Sequence, residues 1–80
     1  MVTPQQIREY ILEGLACELL EIDGDGQHFE AVIVSAAFEG KSRVQRHQIV
    51  YGVLGERMRE EIHALSMKTL TPGEWTASRG

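Results

Sequence analysis

This chain of 80 residues has one cysteine, two prolines and no acid between residues 41 and 47. No apolar run approaches the roughly 20 residues that cross a bilayer. A single Cys17 cannot close an internal disulfide, so a covalent framework is excluded, stability must come from packing, and a reducing compartment suits the chain. The first residues, MVTPQQIREY, lack both a basic start and an apolar signal core. A cytoplasmic protein with no membrane contact is therefore expected. HExxH, P-loop and GxGxxG patterns are all missing, and Ser35, Ser42 and Ser66 lack the strained, glycine-flanked setting of a serine nucleophile. With no recognisable partner for the lone cysteine, the expectation is a protein that is not an enzyme.

What the chain does contain is enough for one domain spanning residues 1–80. Two separate cores of this size would not bury enough apolar surface to offset the entropy of ordering the chain. Its 42% hydrophobic and 25% charged residues lie in the globular range, away from disordered compositions. There is no internal repeat, low-complexity tract or linker. Net charge is −4, unevenly spread: Glu9, Glu13, Glu18, Glu21, Asp23, Asp25 and Glu30 face Arg8 alone in the first 30 residues, whereas Lys41, Arg43 and Arg46 cluster without an acid. A globally acidic chain repels a polyanion at long range, so any nucleic-acid contact has to be local.

Local patterns give the element order. Thr3-Pro4-Gln5-Gln6 is a helix start with a cap, a proline at the first turn and a glutamine that reaches back. Ile7, Ile11 and Leu15 follow on one face, with Leu12 broadening it, and the helix ends near 14–16. Cys17 to Ile22 and His28 to Ser35 read as strands joined by the turn Asp23-Gly24-Asp25-Gly26, an antiparallel hairpin. Alternation in the second strand sets Phe29, Ala31 and Ile33 against Glu30, Val32 and Val34. Ser42 with Gln45 repeats the capping pattern, and Val44, Ile49, Val50, Val53 and Leu54 form a helical stripe that leaves Arg43, Arg46 and His47 facing solvent. Gly52 and Gly55 weaken the end of that helix, so a break is expected before Glu56. Glu56 to Ile62 reads as a short helix, His63 to Leu70 as a third strand, and Thr71-Pro72-Gly73-Glu74 as the start of a terminal helix holding Trp75. The order α-β-β-α-α-β-α describes an α+β domain whose helices cover one face of a three-stranded sheet.

Three segments, DGDGQHFEAVIVS, FEGKSRVQRHQIVY and IHALSMKTLTPGEW, agree in order and spacing with the BolA-like family, and the resemblance runs from Ile7 to Trp75. The short hairpin turn makes the chain most similar to the smaller YrbA (IbaG) branch. The resemblance implies a type II KH-like fold. It also implies two roles: sharing a two-iron, two-sulfur cluster with a monothiol glutaredoxin, and regulating transcription by binding DNA through a helix-turn-helix-like region, here residues 40–54. No group is expected to stay tightly bound to the chain alone, which should be a monomer or a weak homodimer.

Site residues follow from the same resemblance. His63 matches the histidine of the family's IHAL segment, to which cluster ligation is assigned; on residue type alone it also suits a histidine bonded to backbone at a strand start. The family's second ligand is a cysteine or histidine in the turn between the first two strands, and Asp23 to Gln27 contains neither. His28 directly follows that turn but matches a strand residue, so it is the weaker metal candidate. Cys17 lies outside the turn and fits a small buried apolar residue. For DNA or a protein partner, Lys41, Arg43 and Arg46 supply cations at a helix start and Gly40 permits close backbone approach. His47, next to Arg46, fits either ligand contact or a buried hydrogen bond tying helix to sheet. A GXXG loop of the RNA-binding kind is not evident, because Gly24-Asp25-Gly26 has the wrong spacing and carries two acids with Asp23.

Overall fold

A computed structural model describes residues 1–79. Helix α1 (Pro4–Gly14) begins with the expected capping box: Gln6 N–H donates to Thr3 Oγ1 at 3.1 Å and Thr3 N–H to Gln6 Oε1 at 2.9 Å. Strands β1 (Leu19–Gly24) and β2 (His28–Val34) pair antiparallel, from Leu19 opposite Val34 to Gly24 opposite Phe29. Asp23 and Gly24 are therefore strand rather than turn, and β1 starts two residues after Cys17. The cause is Asp25: its carboxylate accepts the backbone N–H groups of Gln27 and His28, each at 2.9 Å, which tightens the turn onto Asp25 to Gln27 with Gly26 at φ +96°.

After β2 the chain makes a 3-10 turn (Ala36–Phe38) that local pattern did not reveal. Ser35, the expected last strand residue, caps this turn instead, accepting from Ala37 N–H while its hydroxyl donates to the Ala16 carbonyl at 2.7 Å. Helix α2 (Arg43–Leu54) carries the predicted Ser42–Gln45 box and ends at Gly55, whose φ of +57° breaks the chain before α3 (Glu56–Glu60). Strand β3 (Ala64–Leu70) and helix α4 (Pro72–Arg79) complete the domain. The sheet order is β1-β2-β3, with β3 parallel to β2, His28 beside Ala64 and Val34 beside Leu70. The two strands thus begin at the same end of the sheet.

Ile7, Ile11, Leu20, Phe29, Ala31, Ile33, Phe38, Val50, Leu54 and Ile62 form one buried core between α1, α2 and one face of the sheet. Fully burying a side chain as large as Phe29 or Phe38 contributes roughly 1.5–3 kcal/mol. Two expectations fail here. Val34, placed on the partly open face by alternation, is fully buried between Leu19 and Leu70 at the end where β2 and β3 run on into helical turns. Val44, placed in the core stripe, is 65% exposed. At 100° per residue Val44 lies about 120° around the helix from Val50, whereas Arg46 and His47, one turn before Val50, lie within about 60° of it. It is Arg46 and His47 that point inward.

Candidate functional site

The parallel pairing of β2 and β3 brings two imidazoles together at the start of both strands. His28 opens β2 beside Ala64, and His63 immediately precedes Ala64. Their ring centroids are 6.3 Å apart with the planes at 82°, and both residues are exposed. Backbone geometry fixes the position from which each ring projects. On one side, the bonds that Asp25 accepts from the Gln27 and His28 N–H groups fix the strand start, and they hold the Asp25 carboxyl below the usual carboxylate range. On the other side, the neighbouring Ile62 is buried in the core.

Two nitrogen donors side by side suit a transition metal but do not complete a site. Among the described residues there is no group of three or more His, Cys, Asp or Glu able to hold a metal ion. Cys17 is not part of this arrangement. It precedes Glu18, whose N–H donates to Val34 at the opposite end of β2, and burial pushes the half-buried Cys17 thiol pKa up.

The basic segment lies at that opposite end, and only Arg46 of its three cations is tied to other groups among the described residues. Gly40 takes φ +74° with open space where a Cβ would stand, so the residue serves the turn. Lys41 and Arg43 are exposed. Arg46, expected to face solvent, has a side chain only 13% exposed. It donates to the carbonyls of Lys41 and Thr69 at 3.0 and 3.1 Å and to both carboxylate oxygens of Glu74 at 2.7 and 3.3 Å, with its guanidinium 6.0 Å from the Phe38 ring centroid. Glu74 in turn caps α4 through Thr71. The Arg46 guanidinium, aided by the Thr71 N–H, brings the Glu74 carboxyl down to about 2. His47 is half-buried, and its Nε2 is buried with no hydrogen-bond partner among the described residues, so this nitrogen makes no bond from helix to sheet.

A family model described as BolA-like protein matches residues 13–74, which include the hairpin, both histidines and the Arg46–Glu74 pair. The chain belongs to the BolA-like family. The Acid stress protein IbaG of Escherichia coli strain K12 is 39% identical over 75 residues, spanning 92% of this BolA-like chain and 89% of its own length. A protein from Haemophilus influenzae named DNA-binding transcriptional regulator BolA is 48% identical over 54 residues, 68% of this chain and 52% of that protein. A solved BolA homologue from Coxiella burnetii superposes with a TM-score of 0.87 at 45% identity, covering 95% of this chain and 99% of the other. The fold resemblance read from the three segments is thereby established, as is the likeness to IbaG.

In this BolA-like domain, sequence reasoning singled out both histidines without placing them together. It named Arg46 as a binding cation without seeing its tie to Glu74. Strand order carries no local signal, which hid the first; for the second, the helical phase of Arg46 relative to Val50 was the clue. No helix among the described residues is long and apolar enough to cross a membrane.

Proposed function

We propose that this BolA-like chain is a non-catalytic adaptor that docks with a monothiol glutaredoxin and helps hold or relay a two-iron, two-sulfur cluster. The observation carrying this reading is the exposed His28–His63 pair. Imidazole replaces thiolate at one iron of such a cluster and raises its reduction potential. Two donors from this chain leave the remaining ligands to partner thiolates, in keeping with a group that is shared. His28, which sequence alone ranked second, stands here as the neighbour of His63 that the hairpin turn does not otherwise supply. When bound, the cluster would supply electron storage or be the cargo itself. The chain's part is to present two imidazoles in open solvent, where a partner can reach them.

The test is to mix the chain with cluster-loaded glutaredoxin and compare visible absorption and circular dichroism for the native chain, His63→Ala and His28→Ala. Both substitutions are expected to remove the spectrum particular to the mixed complex. Identical spectra for all three proteins overturn the reading, and an effect of His63→Ala alone removes His28 from the ligand set.

A second reading, a DNA-binding regulator using residues 40–54, draws support from the exposed Lys41 and Arg43 at the start of an acid-free helix and from the name of the Haemophilus relative. Arg46 is a weak contributor to it because Glu74 already holds its guanidinium. Lys41→Ala and Arg43→Ala should each lower the salt slope of duplex binding by about one. Absence of saturable binding to duplex DNA at low salt removes this reading.

A further inference from the structure

We propose that Tyr10, Glu13, Arg57 and Glu61 form a polar clamp between α1 and α3 whose role is to position the His63 imidazole beside His28. The clamp rests on the reading of those two rings as the working site, and it names the residues on which their mutual placement depends.

Helix α3 has little reason to sit still by itself. It has five residues, far below the length at which an isolated helix holds together in water. It starts at Gly55 with no side-chain cap bond, and none of its residues is buried; Met58, half-buried, packs against the core. Yet this element leads through Ile62 directly into His63. Ile62, 3% exposed, and Ala64, paired with His28, anchor the chain on either side of His63. Neither fixes the path by which α3 enters that stretch.

The second constraint comes from α1. The Arg57 guanidinium carbon stands 4.0 Å from the centroid of the Tyr10 ring, and its Nη1 donates to Glu13 Oε1 at 2.8 Å. The Tyr10 hydroxyl donates to Glu61 Oε1 at 2.8 Å. Residues 57 and 61 are one turn apart and are themselves joined, because the Glu61 and Ile62 N–H groups both donate to the Arg57 carbonyl, at 2.9 and 3.2 Å. Tyr10 therefore touches both ends of the last turn before His63. The bond to Glu61 also raises the Tyr10 pKa. These groups are water-accessible, and accessible pairs add little to global stability. Their effect falls on orientation, and outer partners that orient a metal ligand commonly govern affinity.

The experiment is NMR on the free chain, reading the nuclear Overhauser effect between the His28 and His63 ring protons. Tyr10→Phe, which removes only the hydroxyl, should weaken that cross-peak. Tyr10→Phe with Arg57→Ala should abolish it, with the amide resonances of β1, β2 and α2 unchanged; Arg57→Lys, which keeps the cation over the ring, should retain more intensity than Arg57→Ala. In the cluster-loaded mixture the double variant should raise the apparent Kd for the partner about tenfold. An unaltered cross-peak in both Tyr10→Phe and the double variant means that Ile62 and the strand pairing at Ala64 set the ring, and the clamp is overturned. The ring–ring measurement needs no partner, so failure of the native chain to take up a cluster would defeat the proposed function while this measurement still decides the clamp.

Discussion

The two ends of the sheet treat their chemistry-bearing side chains in opposite ways. At the start of β2 and β3, His28 and His63 stand exposed and edge to face, with their rings open to a partner. At the far end, roughly 20 Å away along a seven-residue strand, Arg46 is held by Thr69, Lys41 and Glu74 and lies over Phe38. A histidine and an arginine that both read as site residues in sequence thus have different work. Arg46 fastens α2, β3 and α4 together, and the imidazole pair stays available. With four of its five N–H donors engaged inside the fold, this guanidinium has little left to offer a phosphate.

This contrast can be broken or sharpened by substitution at each end, and the largest effect is expected beneath the arginine. Phe38→Ala removes a fully buried ring and the surface on which Arg46 rests, and should cost about 3–5 kcal/mol in urea unfolding. Next comes Arg46→Ala, which strips partners from the Thr69 and Lys41 carbonyls and should cost about 1–3 kcal/mol by the same measurement. A loss as small as that of an average surface substitution would show that the arginine is not a fastener.

The acid limb of stability gives a smaller and more particular signal. Glu74 has its pKa lowered from 4.5 to about 2 in the folded chain. The unfolded chain therefore takes up the proton first as pH falls, and the stability contributed by the Glu74 charge is present above about 4.5 and lost on the way down to about 2. Glu74→Gln should flatten the fall of the urea midpoint over that window relative to the native chain; parallel curves would show that the pair with Arg46 does not hold in solution. The smallest effect belongs to the other end: His63→Ala and His28→Ala should change unfolding free energy by no more than about 0.5 kcal/mol, since both rings are exposed. A larger loss would make the histidines structural, erasing the difference between the two ends.

Much of the fold was legible because it is written in local chemistry. The three cap sequences at Thr3, Ser42 and Thr71 each appear as reciprocal hydrogen bonds, and Gly55 supplies the break between α2 and α3. The hairpin was legible too, though its turn was not, because two Asp-Gly dipeptides compete and only the register shows that Asp25 wins. Less was legible where one side chain has two partners. Glu74 reads correctly as a cap, but the same carboxylate also binds Arg46, 28 residues away. Nothing in the local pattern marks Tyr10, whose bond to Glu61 spans 51 residues.

From residue order alone come the α+β class, the element sequence, the helix caps and the family, because these depend on neighbours within a few positions and on the spacing of three segments. Only the folded chain decided that β3 runs parallel to β2, that His28 therefore meets His63, and that Arg46 turns inward to Glu74. Each of these joins groups distant in sequence, and such pairings are chosen by the packing of one shared core rather than by any local preference of the residues involved.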